Sequence, residues 1–273
     1  MFFDHVPKNG LICGHRGARS IAPENTLLAL ECARECGTHC WETDVRMTGD
    51  GELVIFHDET LKRTTDIKSH LEWRNRAPWK VEQFSLSELR TLDAGSWFLH
   101  DDPFATVASG EVGESEQENI RGQKIPLLRE ILEFSMAHHF PVNVEIKDMK
   151  TAAGEVEIVD KVMEMLQETG TMDLVLLSSF RHEYLHRART LNPLVSIAIL
   201  AEGRHPSDLI SYLQTISAVA YHPDEAICDV ELIARLTDAG FRVNSWTVND
   251  MERAREMLAA GAGIITDWPQ RLV

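Results

Sequence analysis

Two acidic residues stand two positions apart in the stretch CWETDVRMT, at Glu42 and Asp44. Side chains two apart on a β-strand point to the same face, so both carboxylates would enter one pocket. Ionised carboxylates this close repel each other, and either a shared proton or a bound divalent cation would relieve the repulsion. Glu145, in PVNVEIKD, could add a third carboxylate from a neighbouring strand about 4.8 Å away. Three oxygen ligands without Cys or His suit Mg²⁺ or Ca²⁺ better than zinc.

The same three carboxylates could instead form ion pairs with cationic side chains. Arg16, Arg46 and Lys147 all stand close in the sequence to the predicted strand ends that carry the carboxylates. The spacing leaves both interpretations open, although three clustered carboxylates favour the metal site. The expected cofactor is therefore one divalent cation, Mg²⁺ or Ca²⁺.

Two histidines accompany these carboxylates. His15 follows the apolar run LICG, and His57 stands near the end of GELVIFHD. Imidazole titrates near neutral pH, so two histidines can divide the roles of general base and general acid. Arg16 and Lys147 add cations that can hold phosphate oxygens. This combination is typical of phosphoryl transfer, whereas the sequence has no G-x-S-x-G turn that would favour acyl transfer.

These residues need a scaffold that brings strand ends together. Short apolar runs alternate with amphipathic segments along the 273 residues, and eight strands are predicted when GELVIFHD is left out. Such alternation implies parallel βαβ units, and eight of them indicate a (β/α)8 TIM barrel, whose active sites lie at the C-terminal strand ends. An open doubly wound sheet is the rival, but GHRGAR lacks the Gly-rich phosphate fingerprint of that fold.

The regular alternation fails in two places. Residues 59–124 form a predicted insertion within a single domain that spans residues 1–273. In this insertion SLSELRTL predicts a short helix, and the polar stretch ASGEVGESEQENIRGQ predicts a mobile loop. Beyond Trp268 the eighth helix is short or missing, so the barrel bottom is either partly open or covered by the N-terminal segment. The first helix is expected to begin at a cap formed by Asn25 or Thr26.

Two further residues at strand ends have ambiguous roles. Trp246, in RVNSWTV, is either a residue of the barrel core or an apolar wall that contacts the carbon skeleton of a substrate. His222, in AYHPDE, is interpreted as structural, because nothing in its local sequence assigns it a chemical role.

Charge and hydropathy limit the partners. The net charge of −16 argues against nucleic acid, because phosphate backbones need clustered Lys and Arg. The apolar runs are too short to span a bilayer, and MFFDHVPKNG lacks the features of a secretory signal. We therefore expect a cytoplasmic protein without stable membrane association, acting on a small molecule.

Several motifs occur together and in order: GHRGARSIAPENT, WETDVRMTGDGELVIFHDETLKRTTD, VEIK, SWTVN and GIITDWP. They resemble the glycerophosphodiester phosphodiesterase family, and LSELRTLDAGSWF resembles the small insertion of that family. The resemblance implies a cytoplasmic barrel hydrolase that cuts glycerophosphodiesters into glycerol 3-phosphate and an alcohol with a divalent metal. The roles that it implies are acid and base for His15 and His57, metal ligands for Glu42, Asp44 and Glu145, phosphate contacts for Arg16 and Lys147, and an apolar wall for Trp246.

Other functions use the same residues. Phospholipase D-type hydrolysis of lysophospholipid or sphingomyelin would need an exposed apolar rim, for which the candidates are Trp73, Trp79, Trp97 and Phe98. The acidic segment 101–121 argues against a membrane surface. A non-catalytic protein that binds glycerophosphodiesters would be expected to lack a histidine or a carboxylate of the set, and none is lacking here. The sequence leaves open which histidine is the acid, and whether water or the glycerol 2-hydroxyl is the nucleophile.

Overall fold

The computed structural model of this protein describes residues 1–150 and 152–273, except for the side chains of 152–156. Its parallel strands are Ile12–Gly14 (β1), Cys40–Met47 (β2), Val142–Ile146 (β4), Val175–Ser179 (β5), Ser196–Ala201 (β6), Ala220–Pro223 (β7), Arg242–Ser245 (β8) and Gly263–Thr266 (β9). β1 pairs with both β2 and β9, which closes the barrel, and Leu53–Ile55 (β3) pairs antiparallel with β2. The predicted TIM barrel with its hairpin arm is confirmed.

Most helices alternate with the strands and cover the outside of the barrel, whereas the three within residues 59–124 belong to the predicted insertion. They are Leu27–Glu35 (α1), Leu86–Leu89 (α2), Ser96–Asp101 (α3), Glu114–Ile120 (α4), Leu128–His138 (α5), Ala152–Thr169 (α6), His182–Leu191 (α7), Leu209–Ile216 (α8), Val230–Asp238 (α9) and Met251–Ala259 (α10). The main core lies between strands and helices and contains Trp41, Val144 and Leu177. Within the described residues β9 is followed by a short 3-10 helix, Pro269–Arg271, and by no eighth barrel helix.

The N-terminal segment covers the bottom of the barrel. A 3-10 helix, Phe2–Asp4, places the fully buried ring of Phe2 among Leu11, Leu176 and Ile265, which face the barrel interior. Burying a phenylalanine side chain stabilises a fold by about 1.5–3 kcal/mol. Of the two arrangements predicted for the barrel bottom, the structure has the covered one.

The turn between β1 and α1 requires a glycine at position 17. Gly17 has φ +88°, and a Cβ at this position would lie 2.5 Å from the carbonyl oxygen of Ala29. Only glycine therefore allows helix α1 to approach this turn so closely. Thr26 caps α1 by accepting a hydrogen bond from the backbone N–H of Ala29, at 3.1 Å. Asn25, the other predicted cap, bonds to Asp44 instead.

The predicted mobile loop over ASGEVGESEQENIRGQ is wrong in part, because it contains helix α4. Ile120, at the end of α4, is fully buried against Phe98 and Val112 in a small core of its own. Glu114 in the first turn is favourably placed at the positive end of the helix dipole. Two apolar side chains of this polar, acidic stretch, Val112 and Ile120, therefore anchor it to the rest of the protein. The division into one domain, 1–273, with an insertion at 59–124 stays a prediction.

The aromatic residues proposed as a membrane-facing rim are packed against the protein. Trp73 and Trp79 are half-buried against the hydrophobic core of the insertion, Trp97 is half-buried, and Phe98 is fully buried. These four side chains therefore do not form the exposed rim that lysophospholipid hydrolysis would need. No helix in the described part of the chain is long and apolar enough to cross a membrane.

His222 lies inside the barrel, where its Nε2 accepts a hydrogen bond of 2.9 Å from Asn244 Nδ2. Burial lowers the pKa of His222 from 6.5 to about 3. Below pH 6.5 the unfolded chain therefore binds a proton that the folded chain refuses, and stability falls as pH falls. Each pH unit between these two values costs about 1.4 kcal/mol. This geometry supports the structural interpretation of His222.

We expect the His222→Asn variant to lose less stability than the wild type between pH 7.5 and pH 5, by about 2 kcal/mol. Urea unfolding at both pH values measures the difference. His100→Asn, at an exposed histidine, is the control and should keep the wild-type pH dependence. Equal losses in the His222→Asn variant and in the wild type would contradict the prediction.

Candidate active site

A cleft at the C-terminal ends of the strands collects the residues that the sequence singled out. Its cavity volume is about 90 Å³. It is lined by His15, Arg16, Glu42, His57, Asn143, Glu145, Lys147, Ser178, Phe180, Leu200, Trp246, Thr247 and Ile265. Of the predicted site residues only Asp44 is absent from this lining, and Asp44 contacts both Arg16 and Lys147. A larger cavity of about 420 Å³ at the barrel bottom contains none of them.

Three carboxylates meet in the cleft as predicted. One oxygen each from Glu42, Asp44 and Glu145 can be chosen so that all three lie within 4.8 Å of one another. The arrangement follows from strand register, because Asp44 stands directly beside Glu145 where β2 pairs with β4. In the described part of the chain, no other group of three or more His, Cys, Asp or Glu residues is as close. This cluster could hold a metal ion.

Cationic side chains also contact these carboxylates. The cluster that could hold a metal ion therefore also forms the ion pairs that the sequence suggested as the alternative. Lys147 Nζ lies 2.7 Å from Glu145 and 3.4 Å from Asp44, and Arg16 Nε lies 3.5 Å from Asp44. Arg46 behaves differently from the prediction, since its Nε donates a 2.9 Å hydrogen bond to the carbonyl of His57.

Glu42 is the one carboxylate of the three that forms no direct ion pair with Arg16 or Lys147. Among the described residues no Lys or Arg forms a side-chain ion pair with Glu42, which accepts a 3.0 Å hydrogen bond from the backbone N–H of Arg16. Burial and the charges of Asp44 and Glu145 raise the pKa of Glu42. Burial also acts to raise the pKa of Asp44, but Lys147 and the other nearby cations outweigh it and lower that pKa. Ionised Glu42 is therefore unfavourable in this cluster, and a divalent cation would stabilise it.

The imidazole of His15 contacts the carboxylate of Asp267, a residue without a role in the sequence-based prediction. Its Nδ1 lies 2.6 Å from Asp267 Oδ1, and Asn249 Nδ2 donates to the other oxygen of Asp267 at 2.8 Å. Burial and the neighbouring Arg16 lower the pKa of His15 to about 4, although Asp267 opposes the shift. The ring is therefore neutral at pH 7, with Nδ1 engaged. Asp267 follows β9 in GIITDW, so its place at a strand end was the available signal.

His57 has a similar partner in its chain neighbour. Its Nδ1 lies 2.7 Å from Asp58 Oδ1, and its Nε2 has no hydrogen-bond partner among the described residues. The side chain is about one-third exposed, whereas that of His15 is largely buried. Both histidines thus present Nε2 as the nitrogen that remains available for proton transfer.

The segment PENT supplies two more residues without a predicted role in the site. Glu24 is buried, and Arg16 donates a 2.8 Å hydrogen bond to it. Asn25 donates a 2.7 Å hydrogen bond to Asp44. The segment therefore holds the cleft residues from below, although sequence reasoning saw it only as a helix start.

Trp246 forms one side of the cleft. Its ring packs edge-on against Phe180 with centroids 5.4 Å apart, and its Nε1 donates a 2.8 Å hydrogen bond to the carbonyl of His222. The indole is thereby fixed with part of its surface towards the cleft, as the apolar-wall interpretation requires.

Comparison with known proteins identifies the family of this chain. The chain matches the model of the glycerophosphoryl diester phosphodiesterase family over residues 15–271. It is 33% identical over 267 residues to a glycerophosphodiester phosphodiesterase of Bacillus altitudinis, covering 96% of both chains. It is 31% identical over 264 residues to one from Caldanaerobacter subterraneus, again covering 96% of both.

Solved structures give the same result. A phosphodiesterase of Oleispira antarctica, in complex with the product sn-glycerol-3-phosphate, superposes with a TM-score of 0.81 at 28% identity, covering 99% of this chain and 96% of that one. A putative glycerophosphoryl diester phosphodiesterase of Silicibacter pomeroyi superposes with a TM-score of 0.83 at 27% identity, covering 97% of this chain and 92% of that one. The chain belongs to the glycerophosphoryl diester phosphodiesterase family of enzymes.

Proposed function

We propose that this protein hydrolyses glycerophosphodiesters to glycerol 3-phosphate and an alcohol with the help of one divalent cation, Mg²⁺ or Ca²⁺. The observation that carries the proposal is the meeting of three carboxylates, two cations and two histidines in one cleft. Family membership supports the substrate class. The sn-glycerol-3-phosphate bound to the Oleispira antarctica relative supports glycerol 3-phosphate as the product.

The metal site in this proposal consists of Glu42, Asp44 and Glu145. Their oxygens are hard ligands, and the uncompensated charge at Glu42 fits a divalent ion. When bound, such an ion would offset the negative charge that develops on the phosphate. Arg16 and Lys147 share that work by donating hydrogen bonds to phosphate oxygens, which would replace part of their present contacts with the carboxylates.

The two histidines move the protons. Neutral His15 accepts the proton of the attacking hydroxyl at Nε2, because Asp267 occupies Nδ1. As the new P–O bond forms and the bond to the leaving alcohol breaks, protonated His57 gives its Nε2 proton to the leaving oxygen. The attacking hydroxyl belongs to water or to the glycerol 2-hydroxyl. ³¹P NMR separates these routes, because only the second forms a cyclic phosphate.

Trp246 and Phe180 supply the apolar wall of the substrate pocket. Their rings lie beside the residues proposed to bind phosphate, where they can contact the carbon skeleton of the glycerol group. This contact excludes water from one side of the reacting phosphate and thereby strengthens its interactions with Arg16 and Lys147.

Asp267 should be needed for full activity because it orients His15. In an Asp267→Asn variant the side-chain amide can donate to Nδ1, which would favour the tautomer with the proton on Nε2 and remove the base. We expect kcat to fall by roughly 10²-fold or more. Steady-state kinetics measure the change, and Asn249→Ala, which removes only the outer hydrogen bond to Asp267, should cost much less. Wild-type kcat in the Asp267→Asn variant would contradict this role.

The proposed function is tested with a panel of substrates. Glycerophosphocholine, glycerophosphoethanolamine, glycerophosphoglycerol and a lysophospholipid are incubated with the protein, with Mg²⁺, with Ca²⁺ or with chelator. We expect glycerol 3-phosphate from the water-soluble diesters only in the presence of a divalent cation. Turnover of the lysophospholipid alone would favour the phospholipase D alternative, and binding without turnover would favour a non-catalytic protein.

A further inference from the structure

The guanidinium group of Arg63 lies between two carboxylates and binds both of them in bidentate fashion. Towards Asp58, its Nε and one terminal nitrogen donate hydrogen bonds of 2.8 and 2.9 Å. Towards Glu24, its two terminal nitrogens donate hydrogen bonds of 2.8 and 2.7 Å. Bidentate pairs between arginine and carboxylate are among the strongest hydrogen bonds in proteins, and their planar geometry fixes both partners.

Each of these carboxylates also holds a residue of the proposed active site. Asp58 Oδ1 lies 2.7 Å from His57 Nδ1, and Glu24 Oε1 accepts a 2.8 Å hydrogen bond from Arg16. The result is one continuous chain of hydrogen bonds that runs from His57 through Asp58, Arg63 and Glu24 to Arg16. No link in it depends on a metal ion or a substrate.

We propose that Arg63 is a positioning residue that joins the proposed acid, His57, to the proposed phosphate contact, Arg16, through Asp58 and Glu24. The proposal rests on the proposed function for what these two residues do, but not for the geometry that Arg63 imposes on Asp58 and, through it, on His57. Arg63 orients the Asp58 carboxylate, and that carboxylate accepts the Nδ1–H of His57, so that the Nε2–H of the protonated ring faces the cleft.

The two carboxylates depend on Arg63 to different degrees. The Glu24 side chain is only 3% exposed, so its charge must be compensated by nearby cations. Arg16, Arg19 and Arg63 do so together, at 2.8, 3.2 and 2.7 Å. Without Arg63 two cations would remain on Glu24, and Arg16 would keep its position. Asp58, in contrast, would lose its bidentate partner.

Arg63 also links the predicted insertion to the active site. It stands within residues 59–124 rather than on a barrel strand, and its guanidinium carbon lies 5.9 Å from the ring centre of Trp97. Its side chain is 39% exposed and is therefore not part of a hydrophobic core. The insertion would therefore contribute directly to the geometry of the acid rather than only covering the barrel.

The kinetic test compares Arg63→Ala and Arg63→Lys with the wild type on the best substrate of the panel. Arg63→Ala should lower kcat by about 10- to 100-fold. KM should change by less than about threefold, because Arg16 keeps its bond to Glu24. Arg63→Lys should give an intermediate kcat, since an ammonium group keeps the charge but not the two bidentate pairs. A kcat for Arg63→Ala within about twofold of the wild type would overturn the proposal.

A matched control separates positioning from the general loss of an arginine. Arg187 binds Asp160 in bidentate fashion at 2.9 and 3.0 Å and is 42% exposed, but it lies between α6 and α7, outside the cleft. Arg187→Ala should keep wild-type kcat. If Arg187→Ala lost as much activity as Arg63→Ala, the proposal would be wrong.

A double variant tests the route through Asp58. If Arg63 acts through this carboxylate, Arg63→Ala should cost little further activity in an Asp58→Asn background. Multiplicative losses in the double variant would show that Arg63 does not act through Asp58, and would overturn the proposed route.

A spectroscopic test does not require turnover and therefore distinguishes failure of this proposal from failure of the proposed function. Recorded at a pH at which the ring of His57 is deprotonated, long-range ¹H–¹⁵N correlation spectra report whether its remaining proton lies on Nδ1, the nitrogen that contacts Asp58, and His57→Ala identifies the signals of His57. The wild type should show the Nδ1–H tautomer, and Arg63→Ala a mixture of both tautomers. An unchanged tautomer in Arg63→Ala would overturn the proposal even if every substrate in the panel is cleaved.

Discussion

Replacing His57 with alanine should lower kcat of glycerophosphodiester hydrolysis by about 10²- to 10⁴-fold, the usual contribution of a general acid. The leaving alkoxide would then depart without a proton, and no other group in the described part of the cleft presents a free imidazole nitrogen from that side. His15→Ala should have an effect of the same size, because it removes the base. Steady-state kinetics with the metal-loaded enzyme measure both losses.

The leaving group offers a sharper test of the same assignment. A substrate whose alcohol is a good leaving group, such as a p-nitrophenyl phosphodiester, hardly needs protonation when the bond breaks. His57→Ala should therefore lose much less activity on that substrate than on glycerophosphocholine, whereas His15→Ala should lose activity on both. The opposite pattern would exchange the two roles.

A histidine outside the cleft serves as the control. His205 is half-buried in the loop after β6, at the same end of the barrel, and its Nδ1 lies 2.8 Å from the Tyr221 hydroxyl. His205→Ala should retain near wild-type kcat. If both His15→Ala and His57→Ala were as active as this control, the acid and base assignment would be wrong.

The parts of the site that could be predicted from the sequence are those whose position follows from local periodicity. Glu42 and Asp44 share a face because side chains on a strand alternate, and Glu145 joins them because parallel strands in a barrel pair in sequence order. His15 follows the same reasoning, since it stands where the parallel strand β1 ends, whereas His57 reaches the cleft because the antiparallel strand β3 runs back along β2. Alternation of strands and helices likewise predicted the barrel.

The residues that were missed depend on contacts between distant parts of the chain. Asp267 is 252 positions from His15, and only closure of the barrel between β1 and β9 brings them together. Glu24 and Arg63 are 39 positions apart and meet because the insertion folds back over the first βα turn. No local pattern encodes such pairs, because the partner of a polar side chain depends on the final path of the backbone.

Helix α4 was missed for a different reason. Its sequence is polar and acidic enough to predict a loop, but Ile120 at its end enters a small core with Phe98 and with Val112, which stands just before the helix. The burial of one side chain contributes about 1.5–3 kcal/mol, which outweighs a weak local preference. Whether that side chain finds a partner depends on tertiary packing rather than on the sequence of the segment.

Removing divalent cations should lower activity by about 10³-fold or more, because a bound cation contributes several kcal/mol to offsetting charge in the transition state. Dialysis against chelator followed by return of Mg²⁺ or Ca²⁺ measures the loss and its recovery. Glu145→Gln should keep little activity at any cation concentration, whereas Glu88→Gln should behave like the wild type. Glu88 is a suitable control because it is half-buried and paired with Arg76 at 2.7 Å, within the insertion.

Thermal unfolding tests the same site without turnover. A ligand that binds only the folded state raises its stability, by about 2.7 kcal/mol at 100 times its dissociation constant. Mg²⁺ or Ca²⁺ should therefore raise the Tm of the wild type and of Glu88→Gln, but not that of Glu42→Gln.

In cation-free buffer we expect the Glu42→Gln variant to be more stable than the wild type. Burial and the charges of Asp44 and Glu145 raise the pKa of Glu42, so its ionised form opposes folding when no cation is present. A glutamine at this position removes that charge and still accepts the hydrogen bond from the backbone N–H of Arg16. Glu42→Gln should thus unfold at a higher temperature than the cation-free wild type while being almost inactive. Two results together would contradict the metal site: Glu42→Gln less stable than the wild type in cation-free buffer, and wild-type activity that survives chelation. They would show that these carboxylates are structural ion-pair partners and not metal ligands.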